Sequence, residues 1–151
     1  MVDRSNKSIP VTIVCADEEV IKETDISENI RILRFSQVSP EQYYALTLQA
    51  FCVLISVYNE KSACGLILIS YAMTNSIPII ATDCSGVRDY IVNDTNGVLF
   101  KVGDSKAILK GYEKLRSNEA FKNEVVNNAK HTIKEMSTGK FIERIIPILE
   151  N

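Results

Sequence analysis

Two short stretches carry residue types that could do chemistry. The first is Cys64-Gly65-Leu66, which opens the apolar run "LILISYAM". Glycine lets a backbone approach a ligand closely, and the uncapped N–H groups at a helix start attract phosphate. The second is Asp83-Cys84-Ser85-Gly86, which follows "IPIIAT" and opens "GVRDYIV". Either stretch alone reads equally well as a tight turn between a strand and a helix. Two such loops after two apolar strands are more informative. They would stand at the C-terminal edge of a parallel sheet, where open α/β folds bind their ligands. Gly65 and Gly86 are therefore expected to face one crevice. Asp83 and Asp89 place carboxylates at the same rim, where each reads as a cap or a solvated charge rather than a catalyst.

Other chemistries are poorly supplied. The single histidine, His131, falls in a polar helical stretch, so neither a Ser-His-Asp constellation nor a metal site is suggested. There is no GxxxxGK(S/T) and no GxGxxG. Tyr43 and Tyr44 read as one core and one surface aromatic. The four cysteines, Cys15, Cys52, Cys64 and Cys84, have no CxxC spacing and lie mostly in or beside apolar strands. They read as buried free thiols of a reducing, cytoplasmic compartment.

The elements that would position these loops follow from the pattern. "VTIVCA" (Val11 to Ala16) is a short β-branched run and "IRILRF" (Ile30 to Phe35) alternates, so both read as strands, with a short helix in "DEEVIKE". In "SPEQYYALTLQA", Ser39 is an N-cap, Pro40 takes the first helical position and Gln42 completes a capping box. "FCVLISV" (Phe51 to Val57) is apolar throughout and predicts a central strand covered on both faces. "ACGLILISYAMTNS" is long enough for a helix before the strand "IPIIAT". "GVRDYIV" predicts a short helix, "NDTNG" a turn and "VLF" a strand. Asp104 caps a helix running to about Leu115, Ser117 caps another, and "TGKFIERIIPILEN" holds the last. Strand–helix alternation of this kind predicts an α/β, Rossmann-like three-layer domain with a parallel sheet and C-terminal helices.

The bulk composition agrees. The chain has 151 residues, 46% apolar and 24% charged, with a formal net charge of −2. One domain is expected, with enough apolar residues for a substantial core. Lys and Arg are dispersed, so no nucleic-acid footprint exists. No apolar run reaches the ~20 residues of a membrane span. "MVDRSNKSIP" has no apolar core of a signal peptide.

Taken together, "VTIVCAD", "ENIRILRFSQVSPEQYYALTLQAFCVLISVYNE" and "IPIIATDCSGVRDYIVNDTNGVLFKVGDSKAI" resemble the C-terminal, nucleotide-sugar-binding domain of GT-B glycosyltransferases. The similarity is to the retaining enzymes of family 4 and the related glycogen synthases, and it covers nearly the whole chain. The last segment is the most specific: an apolar strand, a small-residue loop with glycine, an acidic residue, and a turn ending Asn-Gly before a short strand. "YAMTNSIP" aligns with the family's "EAMACGxP". That puts Tyr71 where the family carries the second Glu of a Glu-x7-Glu motif, which binds ribose. Glycogen synthases have a similar "CGL…YA" pattern. The first Glu, which contacts the transferred sugar, falls at Ser62 or Ala63, and Glu60 stands slightly before it as the weak catalytic candidate.

The resemblance implies a nucleotide-diphosphate-sugar donor held by Ser62, Ala63, Cys64, Gly65, Leu66, Tyr71, Ser85 and Gly86, with no metal and no cofactor beyond the donor itself. It implies a second, N-terminal acceptor domain or a complementary subunit, which this sequence does not contain, and inactivity of the chain alone. The alternatives are a degenerate domain that binds a nucleotide or partner without catalysis, and an unrelated receiver-like module. A receiver would need an aspartate after its third strand, and "LISVYNE" has none there. A domain without its partner half is also expected to expose apolar surface and self-associate.

Overall fold

The computed structural model describes residues 9–14, 30–35, 38–61 and 63–149. The chain divides into two compact units, Met1–Leu46 and Thr47–Asn151.

In the first unit, β1 (Ile9–Val14) pairs in parallel with β2 (Ile30–Phe35), with Ile9 opposite Ile30 and Val14 opposite Phe35. β1 starts at Ile9 rather than Val11, and Pro10 sits near its beginning, where a missing N–H costs least. Cys15, Ala16 and the helix expected in "DEEVIKE" lie outside the described residues. Helix α1 (Pro40–Leu48) opens with the predicted capping box. The Ser39 N–H donates to Gln42 Oε1 at 2.9 Å, and the Gln42 N–H donates to Ser39 Oγ at 3.3 Å. Tyr43 and Tyr44 do not divide into core and surface. Both are half-buried, with rings edge-on and centroids 6.1 Å apart.

The second unit is a three-stranded parallel sheet in the order β3 (Val53–Ile55), β4 (Ile79–Thr82), β5 (Val98–Phe100). Its helices are α2 (Leu66–Thr74), α3 (Ser85–Arg88), α4 (Ser105–Ser117), α5 (Glu119–Glu135) and α6 (Thr138–Leu149). Side chains alternate across a strand, so β4 feeds two cores at once. Ile79 and Ala81 join Val53, Ile55 and the α2 residues Ile69, Ala72 and Met73 on one face. Ile80 joins Val98, Phe100 and Leu115 of α4 on the other. This covering of both faces is why "IIAT" has no exposed position. At Gly111 of α4, an added Cβ would stand 2.9 Å from Val98 Cγ1, so glycine sets the close approach of that helix.

Three details differ from the sequence expectation. "FCVLISV" gives only a three-residue strand, and Leu54 within it is 46% exposed. α4 packs over β4 and β5, leaving that position of β3 uncovered. "GVRDYIV" is helical only through Arg88. The cap of α5 is Asn118, not Ser117. Ser117 is the last residue of α4 and donates its hydroxyl to Glu113 O at 2.7 Å, while Asn118 Oδ1 accepts the Phe121 N–H at 3.0 Å. Asp104 caps α4 as expected, accepting from the Ala107 N–H at 2.9 Å. The "NDTNG" turn is present and is locked by Asn96, which is buried. Asn96 Nδ2 donates to Tyr90 O and to Thr132 Oγ1, and its Oδ1 accepts the Val92 N–H. The side chain thus fastens the turn before β5 to α5.

Candidate functional site

Parallel strands put all three strand exits at one edge, and both glycine loops arise there. Gly65 precedes α2 as its N-cap in the left-handed conformation, φ 83°. An added Cβ would meet Cγ2 of Ile55, the last residue of β3, at 2.8 Å. Glycine is required here twice over, by dihedral and by space. Gly65 has no side chain to cap the helix, so the first N–H groups of α2 receive no side-chain acceptor from it. Its own carbonyl accepts the Ile69 N–H at 2.9 Å, the first bond of the helix. The start of α2 is therefore a helix end with positive partial charge and no acidic side chain in its first turn.

The second loop leaves β4 directly. Cys84, extended and buried, is the N-cap of α3, and its carbonyl accepts from the N–H groups of Val87 and Arg88. Ser85 is exposed and Gly86 is buried, so of the two named residues only Ser85 presents a side chain to solvent. The loops are joined: the Ser85 N–H donates to the Glu60 carbonyl at 2.8 Å. The Asp83 N–H donates to Phe100 O at 2.7 Å, tying the exit of β5 to the same point.

Charge at this rim is organised around Arg88. Its Nε donates to Asp83 Oδ1 at 2.6 Å. That hydrogen bond holds the Asp83 carboxyl below the ordinary carboxylate range, and Lys101 adds to the effect. The same bond raises Arg88, with a further contribution from the Glu60 carboxylate. Asp83 is thus an ion-pair partner, while Asp89 is exposed at the C-cap of α3.

Of the other sequence-derived candidates, Glu60, Ala63 and Cys64 are exposed, Leu66 is half-buried against the core, and Tyr71 is half-buried on α2. Ser62 lies outside the described residues. The cysteines do not share the environment expected of them. Cys84 is buried, Cys52 is partly buried, and Cys64 is exposed at the loop. Burial pushes the Cys52 thiol up to about 11. His131 is exposed on α5. Sequence reasoning passed over Thr82. Its signal was a hydroxyl closing the otherwise apolar run "IPIIAT", at a position with no exposed surface. Among the described residues, no helix is long and apolar enough to cross a membrane.

Comparison with known proteins identifies the family and the fold. The profile of the glycosyl transferases group 1 family matches residues 16–132. Over 75 residues the chain is 31% identical to the capsular polysaccharide biosynthesis glycosyltransferase CapM of Staphylococcus aureus, a match that spans 50% of this chain and 19% of that protein. The C-terminal domain of a group 1 family glycosyl transferase, LpcC from Francisella tularensis, superposes with a TM-score of 0.58 at 20% identity, covering 68% of this chain and 52% of that one. Anabaena HepE, solved in complex with UDP and glucose, gives a TM-score of 0.63 at 16% identity, covering 82% of this chain and 32% of that one. Sucrose-phosphate synthase from Thermosynechococcus elongatus gives 0.60 at 19% identity, with 80% and 29% covered. The chain spans about half or less of the length of each of these relatives. The fold is that of GT-B C-terminal domains, and the chain belongs to the glycosyl transferases group 1 family.

Proposed function

We propose that this group 1 glycosyltransferase domain binds the donor, a nucleotide diphosphate sugar, at the strand exits of its second unit. The observation that carries the reading is the start of α2: a left-handed glycine N-cap, packed on the end of β3 and offering no side-chain acceptor. Backbone N–H groups from Cys64 to Leu66 would hold the diphosphate, with Ser85 and Gly86 beside it and Tyr71 toward the ribose. The α2 dipole, rather than a metal ion, then stabilises the leaving diphosphate. Transfer proceeds with retention of configuration in the family the sequence resembles. That HepE was solved with UDP and glucose supports the donor class. Thiols at Cys52 and Cys84 without disulfide partners fit a cytoplasmic setting.

The acceptor hydroxyl must be held in line with the anomeric carbon, and we assign that task to the part of the longer relatives that this chain does not cover. Orientation of this kind supplies about 7–11 kcal/mol of barrier reduction, so the chain alone should not turn over. A second reading, binding without catalysis, is favoured by one feature. At the position where the resemblance calls for a sugar-contacting Glu stands Ala63, or Ser62.

Titration of the chain with UDP-glucose, followed by NMR, tests the reading. Shifts should concentrate at Cys64–Leu66 and Ser85–Gly86, and exposed Cys64 should be protected from alkylation. Shifts confined to α5 and α6 would refute it. Transfer by the purified chain alone would refute the division of labour.

A further inference from the structure

Thr82 closes β4 with no exposed surface at all. A buried hydroxyl costs free energy unless it is hydrogen-bonded, and valine would fill nearly the same volume without that cost. The hydroxyl both accepts and donates. It accepts the Val57 N–H at 3.0 Å and lies 3.4 Å from the Ile55 carbonyl, to which it donates. The backbone ladder between β3 and β4 runs from Val53 opposite Ile79 to Ile55 opposite Ala81. Thr82 is the next step, where the two chains part, and its side chain takes over from the ladder. Farther along, the Ser85 N–H holds the Glu60 carbonyl at 2.8 Å. The segment from Val57 to Glu60 is therefore fastened at one end to the last residue of β4 and at the other to the first residue of α3. That segment leads to the Cys64-Gly65 helix start.

We propose that Thr82 is a positioning residue: its hydroxyl clamps the β3–α2 connection and so sets the aim of the donor-binding backbone. It touches no substrate itself. The proposal rests on the donor-site reading above for its functional half, while the clamp stands on hydrogen bonds within this chain.

The experiment compares wild type, Thr82→Val, Thr82→Ser and Ile80→Val. Ile80 is a buried neighbour on the same strand, so its truncation loses stability without touching the hydroxyl. Amide exchange is followed by NMR without ligand, and UDP-glucose affinity is then measured on the same samples. In Thr82→Val the Val57 and Ser85 amides should exchange roughly five- to tenfold faster, and UDP-glucose should bind weaker by a similar factor. Thr82→Ser should restore both, and Ile80→Val should change neither. An unchanged Val57 amide in Thr82→Val overturns the clamp. A released amide with unchanged UDP-glucose affinity overturns the positioning role. No binding by wild type, with the Val57 amide still released in Thr82→Val, defeats the donor-site reading and leaves the clamp supported. If Thr82→Val does not fold, the wild-type Val57 amide decides. Protection comparable with the Ile80 amide supports the clamp, and exchange at the rate of an unprotected amide overturns it.

Discussion

Gly65 and Gly103 form a natural pair for measuring what the helix start of α2 requires. Both have positive φ, 83° and 79°. At Gly103 an added Cβ would meet nothing within 4 Å, whereas at Gly65 it would meet Ile55 Cγ2 at 2.8 Å. Gly103→Ala therefore bears only the left-handed dihedral, about 1–2 kcal/mol. Gly65→Ala bears the same cost plus overpacking against a buried side chain, a further ~1–3 kcal/mol. The entropy gained by stiffening the unfolded chain is common to both and cancels in the difference. Equilibrium urea unfolding reads that difference. With a slope of ~1–3 kcal/mol per molar, the Gly65→Ala midpoint should fall below that of Gly103→Ala by about 1 M. Equal midpoints would refute the close approach of Gly65 to β3. The result bears on binding experiments too. A bulky Gly65 variant disturbs the backbone with or without a phosphate, so its loss of affinity cannot be assigned to a blocked ligand. Cys64 protection and backbone shifts are cleaner readouts.

Other outcomes follow from the same contacts. Asn96→Leu leaves the part-buried Val92 N–H and Tyr90 O without their side-chain partner and should cost about 1–3 kcal/mol by thermal unfolding; Thr132→Val, which removes one partner of the network, should cost less. Iodoacetamide at pH 8 with peptide mapping should modify Cys64 first, Cys52 slowly because its thiol is pushed up to about 11, and Cys84 last. Asp83 is held below its unfolded value by Arg88, so its contribution is present above about pH 4 and is lost as pH falls through the lower folded value. Asp83→Asn should therefore flatten the acid limb of a Tm-versus-pH curve, by a small amount because the pair is solvent-exposed. Phe141 and Ile148 of α6 are 60% and 73% exposed, so changing either to Glu should move stability, read from urea unfolding, by no more than about 0.5 kcal/mol.

What could be read from the sequence divides along physical lines. Local chemistry was legible: Ser39 and Gln42 are three apart and find each other without help from the rest of the chain. Asp104 is the same kind of signal. The run "IIAT" was legible because burial on both faces removes the polar alternation that an exposed face would impose. Errors arose where tertiary packing decides. Leu54 is as apolar as its neighbours, and only the placement of α4 over β4 and β5 leaves it uncovered. Ser117 and Asn118 both have capping side chains, and the choice between them depends on whether the preceding helix has already claimed the serine, as it has through Glu113. At the site, the two glycine loops were legible as small residues after apolar strands. Their linkage was not, because the Ser85–Glu60 and Thr82–Val57 hydrogen bonds join residues 25 apart in sequence, and the first is between two backbone groups while the second has a backbone donor, so residue type gives little sign of either.

That distinction explains why a family resemblance at low identity can still point to a site. If the donor's phosphates are held by backbone N–H groups at a helix start, side chains there are free to vary, provided the glycine that shapes the turn remains. Cys64 and Leu66 would then tolerate change while Gly65 would not. The residues that resist substitution should be those that place the backbone: Gly65 against Ile55, and Thr82 against Val57. Neither needs to touch a ligand. A scan of positions at this edge would thus find its largest effects on UDP-glucose affinity at Gly65 and buried Thr82, and smaller ones at exposed Cys64 and Ser85. The opposite ranking would mean that side chains, rather than an aimed backbone, hold the donor.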